Sequence, residues 1–324
     1  MNFNKMFLVL MIMSTAIVIN STNWVSMWMG MEMNLMFFIP FISKSKNKNS
    51  SQAMMIYFMV QSISSMIMLF SILIDSFIVI SPVMMEETLK SMLTMSLLMK
   101  LGAAPFHNWM IETLMSMKWL EAFILLTWQK VAPLFVLSNI MQSKVIMLVI
   151  MMTTAIGAIG GINYSSMMKI MGYSSINHMG WMLMSMNSSM LWYKYFILYS
   201  MNLMMACLFF NKFNMYYINQ IFNNSNSILE KINFSIIMLS MSGLPPFLGF
   251  VPKLMVINNS MNMFLMMFMI MMSLLTLFYY TRMISSILMM YSMSNKFMKS
   301  KSSNMIMYNL MLNMMMPLMM IMFN

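Results

Sequence analysis

Apolar stretches follow one another along the whole chain, separated by short polar segments. At about 20 residues each, they are long enough as helices to cross a hydrocarbon core of about 30 Å. The pattern predicts spans near 5–20, 24–43, 53–74, 84–111, 119–140, 145–162, 167–187, 190–213, 230–258, 261–290 and 304–323. That makes an all-α, polytopic transmembrane bundle of about eleven spans. Turn and interface residues gather in the loops 44–52, 212–226 and 294–304, and no loop is long enough for a folded extramembrane domain. A single domain over 1–324 is expected. The first span is expected to be retained: only Lys5 flanks it and no small-residue cleavage site follows its apolar core. No Arg-rich transit segment is seen.

Two spans carry helix breakers. Gly102-Ala103-Ala104-Pro105-Phe106 resembles Gly243-Leu244-Pro245-Pro246-Phe247, 141 residues later. Gly and Pro inside an apolar span interrupt its helix and free backbone groups that must face protein or water. Paired broken helices in corresponding halves point to an inverted-repeat, antiporter-like arrangement around an ion path. Lys100 precedes the first break and Lys253 follows the second.

Composition narrows the class. The chain is 61% hydrophobic and only 8% charged, against about 25% charged residues in soluble domains. A soluble enzyme, a disordered chain and a nucleic-acid binder are excluded. The formal charge of +11 is spread over scattered lysines, with Arg282 the sole arginine. The densest group, Lys44, Lys46 and Lys48, reads as a loop anchored at a membrane surface. The single cysteine, Cys207, rules out an internal disulfide and any Cys-based zinc or iron–sulfur site. Methionine, at 62 residues, occupies Leu-like positions everywhere. This fits an AT-rich genome in which ATA reads as Met, as in animal mitochondria; a Met-based copper site would need a few residues at fixed spacing.

Against that apolar background the ionisable residues stand out. Each one in mid-membrane costs roughly 2.5–3.5 kcal/mol on insertion scales. Glu32, Lys100, Lys130 and Lys253 fall within predicted spans, so together they would cost on the order of 10–14 kcal/mol if unpaired. They are therefore expected to face one another, water or polar groups inside the bundle. Five of the eight prolines (Pro105, Pro133, Pro245, Pro246, Pro252) lie within eight residues of one of these lysines. Burial disfavours a charged amine and a neighbouring carboxylate favours it. Changing the separation of a Glu–Lys pair would therefore load or release a proton, which arginine could not do. Snorkelling to an interface, or pairing for packing alone, is the plainer account of each charge.

His178, in Tyr173-Ser174-Ser175-Ile176-Asn177-His178, could pass protons near neutral pH or simply pack. His107 could cap or line the first break. Two lone histidines do not support a haem. Gly157, Gly160 and Gly161 read as close helix packing. The remaining acids (Asp75, Glu86, Glu87, Glu112, Glu121, Glu230) lie near span ends, with Glu121 and Lys118 the candidates for something more.

The strings LLMKLGAAPFHNW (97–109), TWQKVAP (127–133), YSSINHMGW (173–181), SGLPPFLGFVPK (242–253) and WMGMEMNL (28–35) resemble subunit 2 of NADH–ubiquinone oxidoreductase, respiratory complex I, in its mitochondrially encoded animal form. The strings occur in that family's order and span most of the chain. The resemblance implies an antiporter-like, proton-pumping subunit of the mitochondrial inner membrane with no redox centre of its own. It implies that Glu32 and Lys100 form the ion pair, Lys130 the central relay lysine, Lys253 the lysine of the second broken helix and His178 the histidine between them. NADH, FMN, iron–sulfur clusters and ubiquinone would be handled by partner subunits. Other membrane-arm and accessory subunits, and membrane lipids, would be its partners, with no nucleic acid. The chain departs from the family's usual pattern at Gln52, Ile56, Met168 and Leu254. Two other accounts use the same residues: a free-standing cation/proton antiporter, and a purely structural membrane subunit.

Overall fold

The computed structural model describes residues 3–43, 48–77, 82–140, 144–189, 192–220, 228–260 and 262–291. The predicted span 304–323 and the predicted loop 294–304 lie outside them. The described residues are helical, with one isolated bridge between Ser166 and Tyr217, and they group into two compact units, Met1–Val149 and Ile150–Asn324. Among the described residues, five helical stretches, Trp24–Ser43, Ser50–Ile74, Trp119–Ser138, Trp192–Phe213 and Met263–Ser285, are long and apolar enough to cross a membrane.

The first unit contains α1 (Phe3–Asn20), α2 (Trp24–Ser43), α3 (Lys48–Phe77), α4 (Pro82–Leu101), α5 (Asn108–Met115), α6 (Trp119–Leu126) and α7 (Trp128–Ser138). Helix α7 packs against α1, α2, α4 and α6, so the residue at its first turn, Lys130, sits where four helices converge. Helix α8 (Lys144–Gly160) runs into the second unit, which continues through α9 (Met167–Ser189), α10 (Trp192–Phe213), α11 (Ile228–Ser242), α12 (Phe250–Asn259) and α13 (Met263–Tyr291). There α9 is the central helix, in contact with α10, α12 and α13.

Apolar and polar faces are arranged opposite to those of a water-soluble bundle. On α3, Met55, Met59, Ile63, Met66 and Phe70 form an exposed stripe at helical spacing, and Met263, Met267, Met271, Leu274 and Phe278 form one on α13. Stripes of this length are not left facing water in soluble proteins. Conversely, α9 buries Ser174, Ser175, Asn177 and His178. Glycine lets α9 approach α8 closely: a Cβ at Gly157 would stand 2.5 Å from the Asn177 nitrogen, one at Gly160 2.2 Å from the Tyr173 ring, and one at Gly180 2.3 Å from Thr154. The packing role expected of the 157–161 glycines is thus what the structure has; Gly161 faces Tyr279 in the same way.

Both expected breaks are present. Helix α4 ends at Leu101 and α5 starts at Asn108; α11 ends at Ser242 and α12 starts at Phe250. Each first helix ends in a glycine-terminated Schellman turn. At the first break Ala103 N–H bonds Leu98 O at 3.1 Å and Gly102 N–H bonds Met99 O at 3.2 Å. At the second, Leu244 N–H bonds Leu239 O at 3.3 Å and Gly243 N–H bonds Ser240 O at 3.2 Å.

The Lys130 span also breaks, at a place the prolines do not mark. The chain leaves the helix at Thr127 (φ −116°, ψ −79°), while Pro133 sits inside α7. The Thr127 hydroxyl bonds the Phe123 carbonyl at 2.7 Å. This back-bonding competes with the helix ladder and bends helices.

Candidate functional site

Glu32 on α2 and Lys100 in the last turn of α4 meet with Oε1 and Nζ 3.6 Å apart, within ion-pair reach and beyond an ordinary hydrogen bond. The Lys100 side chain is 4% exposed and that of Glu32 25%, so the pair lies at the edge of the buried interior. Glu32 Oε1 is itself buried, with no hydrogen-bond partner among the described residues. The carbonyl end of α4 is bound from two sides: Gln61 Nε2 donates to Lys100 O at 3.2 Å and Trp109 Nε1 to Met99 O at 3.1 Å. These donors satisfy carbonyls that the helix end leaves over and fix the backbone under Lys100.

Lys130 is 2% exposed. Its backbone N–H bonds the Thr127 carbonyl at 3.0 Å, a tight first turn that follows directly from the break. Lys100 and Lys130 line one cavity of about 20 Å³. Asn34, Tyr57, Gln61 and Gln129 share its wall. The structure therefore brings together Glu32, Lys100 and Lys130, three of the five residues singled out in the sequence.

The other two lie in the second unit. Lys253, on α12, reaches back across the second break and donates from Nζ to the Ser242 carbonyl at 2.6 Å. That carbonyl belongs to the last residue of α11, where the helix dipole favours a cation. Lys253 Nζ also lies 5.9 Å from the centroid of the Trp181 ring. His178 is buried on α9, its Nδ1 2.8 Å from Tyr195 Oη and its ring 4.9 Å from that of Tyr199. Residues 178 and 181 share a helix face, so Lys253 is set against the side of α9 that carries His178.

Two further expectations resolve simply. His107 is the N-cap residue of α5 but makes no side-chain capping bond; its Nδ1 lies 3.2 Å from Pro105 O. Glu121 is buried and accepts the Lys118 N–H at 3.1 Å, so it closes the N-terminus of α6. Asn34, Tyr57, Gln61 and Gln129 belong to the site without standing out in the sequence. They carry no charge, so a search by the cost of a buried ion does not find them; their shared signal is an uncharged polar group within an apolar span.

A family model described as NADH:quinone oxidoreductase/Mrp antiporter, transmembrane, matches residues 21–279. A protein of Anopheles gambiae named NADH-ubiquinone oxidoreductase chain 2 is 40% identical over 309 residues, covering 93% of this chain and 90% of that one. The chain belongs to the NADH-ubiquinone oxidoreductase chain 2 family. A member from Mus musculus is 37% identical over 283 residues, with 83% of this chain and 81% of that one covered. Among solved structures, a chain of respiratory complex I from Thermus thermophilus superposes with a TM-score of 0.81 at 14% identity, covering 98% of this chain and 78% of that chain. A chain of the Mrp complex from Dietzia sp. DQ12-45-1b gives 0.75 at 15% identity, over 86% of this chain and 59% of that one. The chain 2 family thus shares its fold with subunits of both kinds of membrane complex, and this member is a multi-pass membrane protein.

Proposed function

We propose that this chain is a proton-translocating subunit of the mitochondrial NADH:ubiquinone oxidoreductase, seated in the inner membrane. Electron transfer from NADH to ubiquinone takes place in partner subunits, which hold the NADH, FMN, iron–sulfur and ubiquinone sites. Other membrane-arm and accessory subunits and the surrounding lipid are its neighbours. The observation that carries this reading is the joint lining of one cavity by Lys100 and Lys130, with Glu32 at 3.6 Å from Lys100.

In this mechanism the closed Glu32–Lys100 contact keeps the proton on Lys100, because the carboxylate favours the ammonium form. Opening the contact removes that support while Lys100 stays desolvated. An N–H bond at Lys100 then breaks, one forms at the neutral amine of Lys130, and one positive charge moves with it. Lys130 is the central relay, and His178 and Lys253 serve the onward path. The eleven-span count and the inverted-repeat arrangement belong to the same reading; the repeated Schellman breaks 141 residues apart support it.

The test is proton pumping per electron in vesicles containing the reconstituted complex, comparing the parent with Lys130→Ala at equal assembly. Loss of pumping with the complex intact is expected. Unchanged pumping would leave the purely structural reading in its place.

A further inference from the structure

Gln129 immediately precedes Lys130, and its amide touches three other helices. Nε2 donates to Asn34 Oδ1 on α2 at 3.2 Å and to Met11 Sδ on α1 at 3.5 Å, while Oε1 accepts the Tyr57 hydroxyl of α3 at 3.2 Å. A glutamine amide has two N–H donors and one carbonyl acceptor, and here each is engaged. The two donor bonds are unequal, since a thioether is a weak acceptor. The N–H facing Met11 is the least committed polar hydrogen of the group.

These bonds fall in the one place where they affect both lysines. Asn34 is two residues from Glu32 on α2, so the Gln129–Asn34 bond ties the helix of the acid to the first turn of the helix of Lys130. Asn34, Tyr57 and Gln129 line the same cavity as Lys100 and Lys130. Its 20 Å³ exceeds the roughly 10–15 Å³ that one water requires, and the wall supplies the 2–4 polar partners such a water needs. Pro133, also on the wall, has no N–H to give the Gln129 carbonyl.

We infer that Gln129, supported by Asn34 and Tyr57, is the positioning residue for proton transfer between Lys100 and Lys130: its amide holds one water between the two amines and fixes the approach of α2 to α7. The inference rests on the relay reading above. The water takes a proton from the Lys100 ammonium and gives another to the Lys130 amine, so it leaves the step unchanged. Gln129 orients it and exchanges no proton.

The test uses the intact complex in vesicles, carrying Gln129→Met or Tyr57→Phe at matched assembly, with Lys130→Met alongside. Gln129→Met keeps the side-chain bulk and removes the amide. It is expected to slow coupled proton transfer about tenfold, the loss of roughly one hydrogen bond that orients the water during transfer. The ratio of turnover in H2O to that in D2O should rise, because the water-mediated step becomes limiting; a loss of packing alone would not move that ratio. Tyr57→Phe removes one oxygen without changing shape and should give a smaller effect of the same kind. It decides the matter if Gln129→Met does not assemble. Parental pumping and isotope ratio in the assembled variants would overturn the inference while leaving the relay intact, provided Lys130→Met abolishes pumping. Parental pumping in Lys130→Met would remove the relay reading itself.

Discussion

Gly102 and Gly243, 141 residues apart, hold the same left-handed turn, with φ of +67° and +79°. Each ends a helix whose final carbonyls are then served by side chains from other segments: Gln61 and Trp109 at the first break, Lys253 at the second. One backbone device is thus used twice with different donors. An L side chain in this conformation costs roughly 1–2 kcal/mol. Gly102→Ala should lower the stability of the complex by about that amount, since its Cβ meets only side chains, at 3.2 Å. Gly243→Ala should cost more, about 2–3 kcal/mol, because its Cβ would also stand 3.0 Å from the Gly249 carbonyl oxygen, which is backbone. Thermal unfolding midpoints of the two variants in the purified complex give the ordering.

Glu32→Gln leaves Lys100 buried without its carboxylate. Removing one partner of a fully buried pair costs about 3–5 kcal/mol; the 25% exposure of Glu32 reduces this to about 1–3 kcal/mol. The double variant Glu32→Gln/Lys100→Met should recover assembly, since no uncompensated charge remains, and still fail to pump. Assembly level and proton-to-electron ratio, measured on the same preparations, separate the two effects. A double variant that pumps normally would assign the pair to packing.

Lys253→Arg and Lys253→Met should fail differently. Arginine keeps the charge at the α11 carbonyl end but does not release a proton in this range, so the complex should assemble and pumping should fall. Methionine removes the bond to Ser242 O, and a hydrogen bond from a charged group contributes about 1.5–3 kcal/mol, so a lower unfolding temperature should accompany the loss of pumping. If Lys253→Arg pumps like the parent, deprotonation of Lys253 has no part in the path.

Tyr195→Phe removes the hydroxyl 2.8 Å from His178 Nδ1. One buried hydrogen bond is worth about 0.5–1.5 kcal/mol net, so stability should drop by that order while His178 remains in place. His178→Gln should reduce pumping more than Tyr195→Phe does. Equal pumping in the two variants would make His178 a packing residue.

How far the sequence reveals the site depends on the kind of signal each part carries. Glycine and proline within apolar spans announce the breaks at 102–107 and 243–249, because those residues cannot continue a membrane helix unaided. Glu32, Lys100 and Lys130 announce themselves by the cost of burying charge. The break at Thr127 has no such marker. Threonine is compatible with a helix, and its departure depends on a hydroxyl turning back to Phe123. Pro133 points to the wrong place: it lies in the first turns of α7, where only one ladder bond is lost. Helix α9 shows the opposite effect. Its serines, asparagine and histidine lower its hydropathy, yet its middle is buried on every side because the neighbouring helices are its solvent. The Gln129 network stayed hidden because its members come from four helices and are joined only by folding.

The side chain of Lys253 is held along its length. A Cβ on Gly243 would stand 3.0 Å from both its Cδ and Cε, so the stem lies flat on bare backbone, and its tip is tethered to Ser242 O. A free lysine has about 1.5–2 kcal/mol of rotamer entropy to lose on being fixed; here the fold has already removed it. Lys253 therefore behaves as a fixed electrode, not a swinging arm. Its charge has a set address at the carbonyl end of α11.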